Sequence, residues 1–327
     1  MTLAARLRAL AGGSRGAGPT PALVDLTTTV GSVVLPNPVL TASGTAGHGD
    51  ELAAYVDLSA VGAVVVKSLS AEPWAGNPAP RVHETPAGMI NSVGLQGPGV
   101  PAWLADELPA VLATGARVVA SIWGSTIDDY RRAAELLADA PPGVVAVEVN
   151  VSCPNHHDRN RMFAHSPATT AEAVQAAAAC GRPRWVKLSP NVSDLASIAL
   201  AAHDAGAEAV VLVNTVLGMA IDPETRRPRL GGGGGGLSGP AMHPVAVRAV
   251  HDVHAARPEL PIVGVGGVAR GVDAVELMLA GASAVEVGTA TFADPRSVER
   301  VRLELASWCD AHGVAAVRDL IGDAHVR

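Results

Sequence analysis

Polar residues stand at the C-terminal ends of short apolar runs, where a side chain can leave a core and meet a ligand: Ser43, Lys67, Ser121, Asn150, Lys187, Asn214 and Thr215. One such residue is commonly a satisfied strand end, whereas a series in register marks a site. Cys153 follows one run in Asn150-Val151-Ser152-Cys153-Pro154-Asn155. A lone cysteine usually serves as a small hydrophobe, but a polar loop with proline behind it exposes the thiol and makes it a candidate reactive group. Cys180 and Cys309 fall in alanine-rich helical contexts and read as core. Two glycine turns, Gly264-Val265-Gly266-Gly267 and Gly288-Thr289, follow the last two runs. Glycine there lets backbone N–H groups approach phosphate oxygens, although it also serves tight strand-to-helix turns. His156 and His157 have no third and fourth ligand at a recognisable spacing, so no metal site is expected. No GxGxxG opens a helix after the first run, and no nicotinamide site is expected.

The runs that must position these residues are Val39–Thr41, Ala63–Lys67, Arg117–Ser121, Val144–Asn150, Trp185–Leu188, Ala209–Asn214, Ile262–Val265 and Ala284–Val287, each followed by an Ala/Leu-rich stretch that reads as a helix. Several are apolar at every position, as strands buried on both faces are. Eight strand–helix units without an evident linker predict one (β/α)₈ barrel over residues 1–327, with 1–23 as a flexible or helical extension. The gaps Ala63 to Arg117 and Ala209 to Ile262 are the longest, and each holds an insertion, about Ser68–Val100 and Thr215–His243. Both follow strand C-termini, the face where barrels build sites, so they are candidate walls or lids. Leu26–Leu35 reads as a β-hairpin turning at Gly31-Ser32 that plugs the bottom of the barrel. Six consecutive glycines, Gly231–Gly236, are expected to stay mobile without a bound partner because of their backbone entropy.

Composition narrows the function class. A net charge of −7 and no sustained Lys/Arg run argue against nucleic acid, and the basic cluster around Arg226-Arg227-Pro228-Arg229 reads as a solvated loop. No uncharged apolar run approaches the roughly 18 residues of a membrane span, and the N-terminal apolar stretch is too short for a signal peptide. A cytoplasmic protein is expected. Three cysteines are too few for a disulfide scaffold or a four-cysteine iron–sulfur site, so any cluster would sit on another chain.

Eight stretches together resemble the dihydroorotate dehydrogenases: NPVLTASGTAG (Asn37–Gly47), VKSLS (Val66–Ser70), ETPAGMINSVGLQGPG (Glu84–Gly99), EVNVSCPN (Glu148–Asn155), VKLSPNV (Val186–Val192), NTVLGMAIDP (Asn214–Pro223), GGLSGP (Gly235–Pro240) and GASAVEVGT (Gly281–Thr289). The likeness covers about residues 24–305 and is nearest to class 1B, whose catalytic chain passes electrons to a separate subunit. Class 2 enzymes are similar but carry a serine base and an N-terminal membrane-associating segment. Dihydropyrimidine dehydrogenases share the barrel and cysteine but usually read SCPH where this chain has Ser152-Cys153-Pro154-Asn155.

The resemblance implies FMN-dependent oxidation of (S)-dihydroorotate to orotate in de novo pyrimidine synthesis, with Cys153 as the base and hydride passing to flavin N5. FMN would contact Ser43, Lys67, Ser68, Asn150, Lys187, Val213 and Gly239, with its phosphate at Gly266, Gly267, Gly288 and Thr289. Substrate would be held by Lys67, Asn91, Val93, Gly94, Leu95, Asn150, Asn214 and Thr215. Amides match the donors and acceptors of a pyrimidine, and lysine matches an anionic substrate and a flavin gaining electron density. A homodimer core, and a partner subunit with FAD and a [2Fe–2S] cluster delivering electrons to NAD, are also implied. The alternatives are a fumarate- or quinone-linked enzyme, a dihydropyrimidine dehydrogenase-like enzyme and a non-catalytic nucleotide-binding barrel. This chain departs from the family pattern at Ser121 and Gly97, where asparagine is common, in the length of its glycine run, and at His156-His157-Asp158-Arg159 after the thiol. The polar stretch His156–Arg161 is a candidate lid over the pyrimidine.

Overall fold

The computed structural model describes residues 24–152 and 162–325. The extension 1–23, Cys153 and the candidate lid at His156–Arg161 therefore lie outside the described residues.

Eight parallel strands form the expected barrel, at Val39–Thr41, Val64–Val65, Val118–Ile122, Val144–Asn150, Arg184–Leu188, Ala209–Leu212, Ile262–Val265 and Ala284–Val287. They are called here the first to eighth barrel strands. Each pairs in parallel with its neighbour, and the eighth pairs with the first. First and second strands close the ring through Gly62 N–H to Val39 O and Thr41 N–H to Ala63 O, at 2.8 and 3.2 Å. Two strands are shorter than expected, yet their backbone bonding runs on: Val66 N–H donates to Val119 O, and Asn214 N–H donates to Leu188 O.

Alternation of side chains along each strand sorts the apolar residues into two cores. Val65, Val119, Trp185, Val211 and Val263 point inward with Ala63, Ala146, Ala209 and Ala284. Their outward neighbours pack against the surrounding helices. The inward alanines leave room for the hairpin of Thr28–Val30 and Val33–Leu35, whose Val30, Val33 and Leu35 join the interior cluster. Its turn is tied down where Ser32 donates from both N–H and hydroxyl to Glu208 Oε2, at 2.8 and 2.6 Å.

Helices Ile127–Leu136, Pro167–Ala176, Leu195–Asp204, His243–Ala256, Gly271–Leu279 and Ser297–Ala311 clothe the barrel. Behind the first strand the expected helix is reduced to 3₁₀ turns at Glu51–Ala54 and Leu58–Ala60. Gly44 and Gly47, with φ of +86° and +73°, break any helical run there.

The two insertions do not form separate walls. They join in one antiparallel sheet in the order Val216–Gly218, Gly235–Ser238, Gly88–Asn91 and Val82–Thr85. Part of the glycine run, Gly235 and Gly236, belongs to a central strand of this sheet. A Cβ on Gly235 would lie 2.3 Å from Asn91 O, and one on Gly236 2.0 Å from Thr215 Oγ1. Glycine is required by close strand approach, and paired backbone offsets its entropy. None of the described helices is long and apolar enough to cross a membrane.

Candidate active site

A chain of polar contacts crosses the strand C-termini. Ser68 Oγ lies 3.1 Å from Ser43 Oγ and 2.9 Å from Ser121 Oγ, and it accepts from Asn150 Nδ2 at 3.1 Å. Ser121 in turn donates to Glu148 Oε1 at 2.8 Å, so its shorter side chain is tied into the site from beneath. Asn150 Oδ1 accepts from Ser152 N–H at 3.2 Å and from Asn214 Nδ2 at 3.3 Å. Tyr130 OH fixes the same residue's carbonyl at 2.8 Å. Both ends of the Asn150 amide are thus held, which sets its direction. Lys67 lies against the Cα of Gly44, whose missing Cβ would sit 3.4 Å from the Lys67 Nζ.

Lys187 is held differently. Its Nζ meets Glu286 Oε2 at 2.7 Å and Glu148 Oε2 at 3.5 Å, all inside the barrel. Burial pulls the lysine's pKa down, but the two carboxylates outweigh it and raise the value above the ordinary one. Burial also pushes the Glu286 carboxyl up, to about 8, with Lys187 opposing and Glu148 reinforcing the rise. Neither glutamate was singled out by sequence reasoning. Each is the lone charge of an apolar Val-Glu-Val strand, Val147–Val149 and Val285–Val287. Such a charge requires a buried partner, and that requirement could have pointed to Lys187.

A second focus is built of backbone. The Gly266-Gly267 turn has φ of +142° and +72°. A Cβ on Gly267 would lie 3.0 Å from Gly239 O, and one on Gly239 would lie 2.6 Å from Gly88 Cα and 3.5 Å from Thr289 Cγ2. Gly239, Gly267 and Thr289 therefore converge, and Thr289 Oγ1 donates to Ser238 Oγ at 2.7 Å. Gly288 lies against Ala42 of the first strand's end.

The insert sheet carries the remaining candidates. Asn91 pairs with Gly236 and donates from Nδ2 to its carbonyl at 3.3 Å, next to Thr215. Asn191, absent from the sequence-based set, bridges Thr215 O at 3.0 Å and Leu217 N–H at 2.9 Å. Val93, Gly94 and Leu95 form a separate turn, pinned by Trp74 Nε1 to Gly94 O and by Asn77 N–H to Val93 O, both at 3.0 Å. Leu95 holds φ of +62°, a conformation rare outside glycine and found at functional turns. That turn reaches the serine cluster through Gly97, where a Cβ would lie 3.7 Å from Ser68 O. Val213 is buried, and its N–H donates to Val265 O at 2.8 Å.

Because the Asn91 carbonyl blocks any Cβ at Gly235, Gly235→Ala is expected to push the two insertions apart. The strain should lower stability by about 1–3 kcal/mol, the range of overpacking, and a melting curve beside wild type checks this.

A family model described as Dihydroorotate dehydrogenase matches residues 25–308. A Desulforudis audaxviator protein named dihydroorotate dehydrogenase B (NAD(+)), catalytic subunit, is 50% identical over 297 residues, 90% of this chain and 96% of its own. One from Solibacter usitatus, provisionally named dihydroorotate dehydrogenase A (fumarate), is 49% identical over 299 residues, covering 91% and 98%. A catalytic subunit of the B (NAD(+)) type from Geobacter sulfurreducens is 44% identical over 303 residues, covering 92% and 99%.

Proposed function

Because this chain belongs to the dihydroorotate dehydrogenase family, we propose that it oxidises (S)-dihydroorotate to orotate with FMN in the barrel mouth, as the catalytic subunit of a class 1B enzyme. The observation that carries this reading is the convergence of Ser43, Ser68, Asn150 and Asn214 on one hydrogen-bonded mouth. The residues fit FMN. Gly239 and Gly267, whose close packing leaves no room for a Cβ, converge with Thr289 and keep backbone N–H groups uncovered by side chains of their own, as contact with a phosphate would need. Lys187, the strand partner of Asn150, would supply positive charge to the flavin ring.

When bound, FMN supplies a two-electron acceptor for the hydride that leaves C6. The protein's own residues do the rest. Lys67 meets the anionic charge of the substrate. Asn91, Asn150, Asn214 and Thr215 pair with the pyrimidine edge, and the fixed Asn150 amide selects one orientation. Cys153 Sγ, as thiolate, takes the proton from C5. A free thiol titrates near about 8.5, so flavin reduction should quicken as pH rises through the thiol's own value. Val93, Gly94 and Leu95 close the substrate side of the mouth.

Purified protein is expected to be yellow and to bleach anaerobically on addition of dihydroorotate. Colourless protein that no FMN restores would overturn the reading and favour a non-catalytic barrel. For the acceptor, the relatives named as B (NAD(+)) catalytic subunits support a partner subunit and NAD as the final acceptor, and the class 1B reading adds FAD and a [2Fe–2S] cluster on that partner and a dimer of this chain. The fumarate reading rests on the Solibacter usitatus relative. Dihydroorotate-dependent NAD reduction should require the chain that co-purifies from the native cell. Rapid turnover of the isolated chain with fumarate would assign the other class.

A further inference from the structure

The Glu148–Lys187–Glu286 cluster sets two carboxylates against one ammonium in a closed interior. The side chains are 0%, 6% and 0% exposed. Glu148 is satisfied on both oxygens, by Ser121 and Lys187. Glu286 accepts from Lys187 through Oε2, while its Oε1 is buried without a hydrogen-bond partner among the described residues. Around Glu286 the inward neighbours are apolar, Leu40 on the first strand with Ala42 just past it, Val263 and Val265 on the seventh and Val211 on the sixth, while Ser121 and Asn150 border the cluster on the Glu148 side. Lys187 and Glu148 are titratable groups that shift Glu286, and Lys67, just past the second strand, stands against Gly44. Fully ionised, this cluster would carry one uncompensated negative charge with no polar medium to screen it, and a proton removes that cost.

We propose that Glu286 carries a proton at neutral pH and serves as a positioning residue, anchoring Lys187 in a cluster whose charge the cofactor above it meets. The direction of the Glu286 titration agrees, since burial lifts it to about 8. The link to the cofactor rests on the FMN reading, whereas the held proton does not. With the proton on Glu286 the cluster is neutral, and with it off the cluster is singly negative. Negative charge gained by the cofactor on reduction must tighten the hold on that proton. Above about pH 8, reduction therefore draws one proton from solvent onto the Glu286 carboxylate, and no electron enters the cluster.

Two measurements separate the parts. The first is the melting temperature of cofactor-free protein across pH 5 to 9. The folded Glu286 titrates above its unfolded value of 4.5, so stability present below that pH is lost as pH rises, with the loss complete past about 8. Glu286→Gln has no carboxyl to ionise and should flatten that fall by one proton's worth of slope. Glu148→Gln, which leaves one carboxylate for one ammonium, should flatten it too and serves if the first variant folds poorly. Curves parallel to wild type in both variants would overturn the held proton. The second is the pH dependence of the bound cofactor's reduction potential. Wild type should take up one more proton per two electrons above about pH 8 than Glu286→Gln. Equal slopes would overturn the coupling, and failure to bind any flavin would count instead against the FMN reading while leaving the melting result standing.

Discussion

Replacing Cys153 with alanine is expected to slow flavin reduction by dihydroorotate about 10²–10⁴-fold, the range of a lost general base, while the protein stays yellow. The chain leading into Cys153 is anchored in the mouth. Ser152 N–H donates to Asn150 Oδ1 at 3.2 Å, and Ser152 Oγ donates to Lys187 O at 2.9 Å. The thiol thus follows directly on residues that also orient Asn150. Alanine would remove the proposed proton acceptor and keep the contacts of Ser152, so binding should survive where chemistry does not. Anaerobic stopped-flow bleaching gives the rate. Cys153→Ser should also be slow, because a hydroxyl is a far weaker base in surroundings suited to a thiolate. An unchanged rate in Cys153→Ala would place the base elsewhere.

The barrel was legible because parallel strands buried on both faces leave unbroken apolar runs. Val39–Thr41, Val144–Asn150, Ile262–Val265 and Ala284–Val287 end where the runs end. The hairpin was legible from its turn at Gly31-Ser32, and the mouth from polar residues placed just past each run. The insert sheet was not. Its central pairing joins Asn91 to Gly236, 145 residues apart, and nothing local to either segment names the other. Read alone, the glycine run is a flexible stretch. Opposite Asn91 and Thr215 it supplies the smallest possible strand. Glu148 and Glu286 were passed over for a different reason. Attention to strand ends misses charges one layer deeper, although a glutamate between two valines of a buried strand already demands a cation.

That demand makes Lys187 the side chain whose removal should cost the fold most. Lys187→Met keeps a long, unbranched shape but strands Glu148 and Glu286 without their cation, a change expected to cost about 3–5 kcal/mol at pH 8. The sign with pH follows from the carboxylates. Buried without a cation, carboxyls take up protons more readily as pH falls, so fewer charges are left unpaired and the penalty should shrink toward a packing term at pH 5. Denaturant unfolding at the two pH values measures this, and an equal penalty at both would mean that the lysine stem, not its charge, supports the barrel. The triple change Lys187→Met, Glu148→Gln and Glu286→Gln removes every charge of the cluster at once. It should recover much of the lost stability at pH 8, because the expense of a buried ion group lies in its unpaired members. On the proposed FMN reading, the same variant should still bind FMN poorly, since the Lys187 ammonium is gone. Stability regained without cofactor affinity would distinguish what Lys187 does for the fold from what it does for the site.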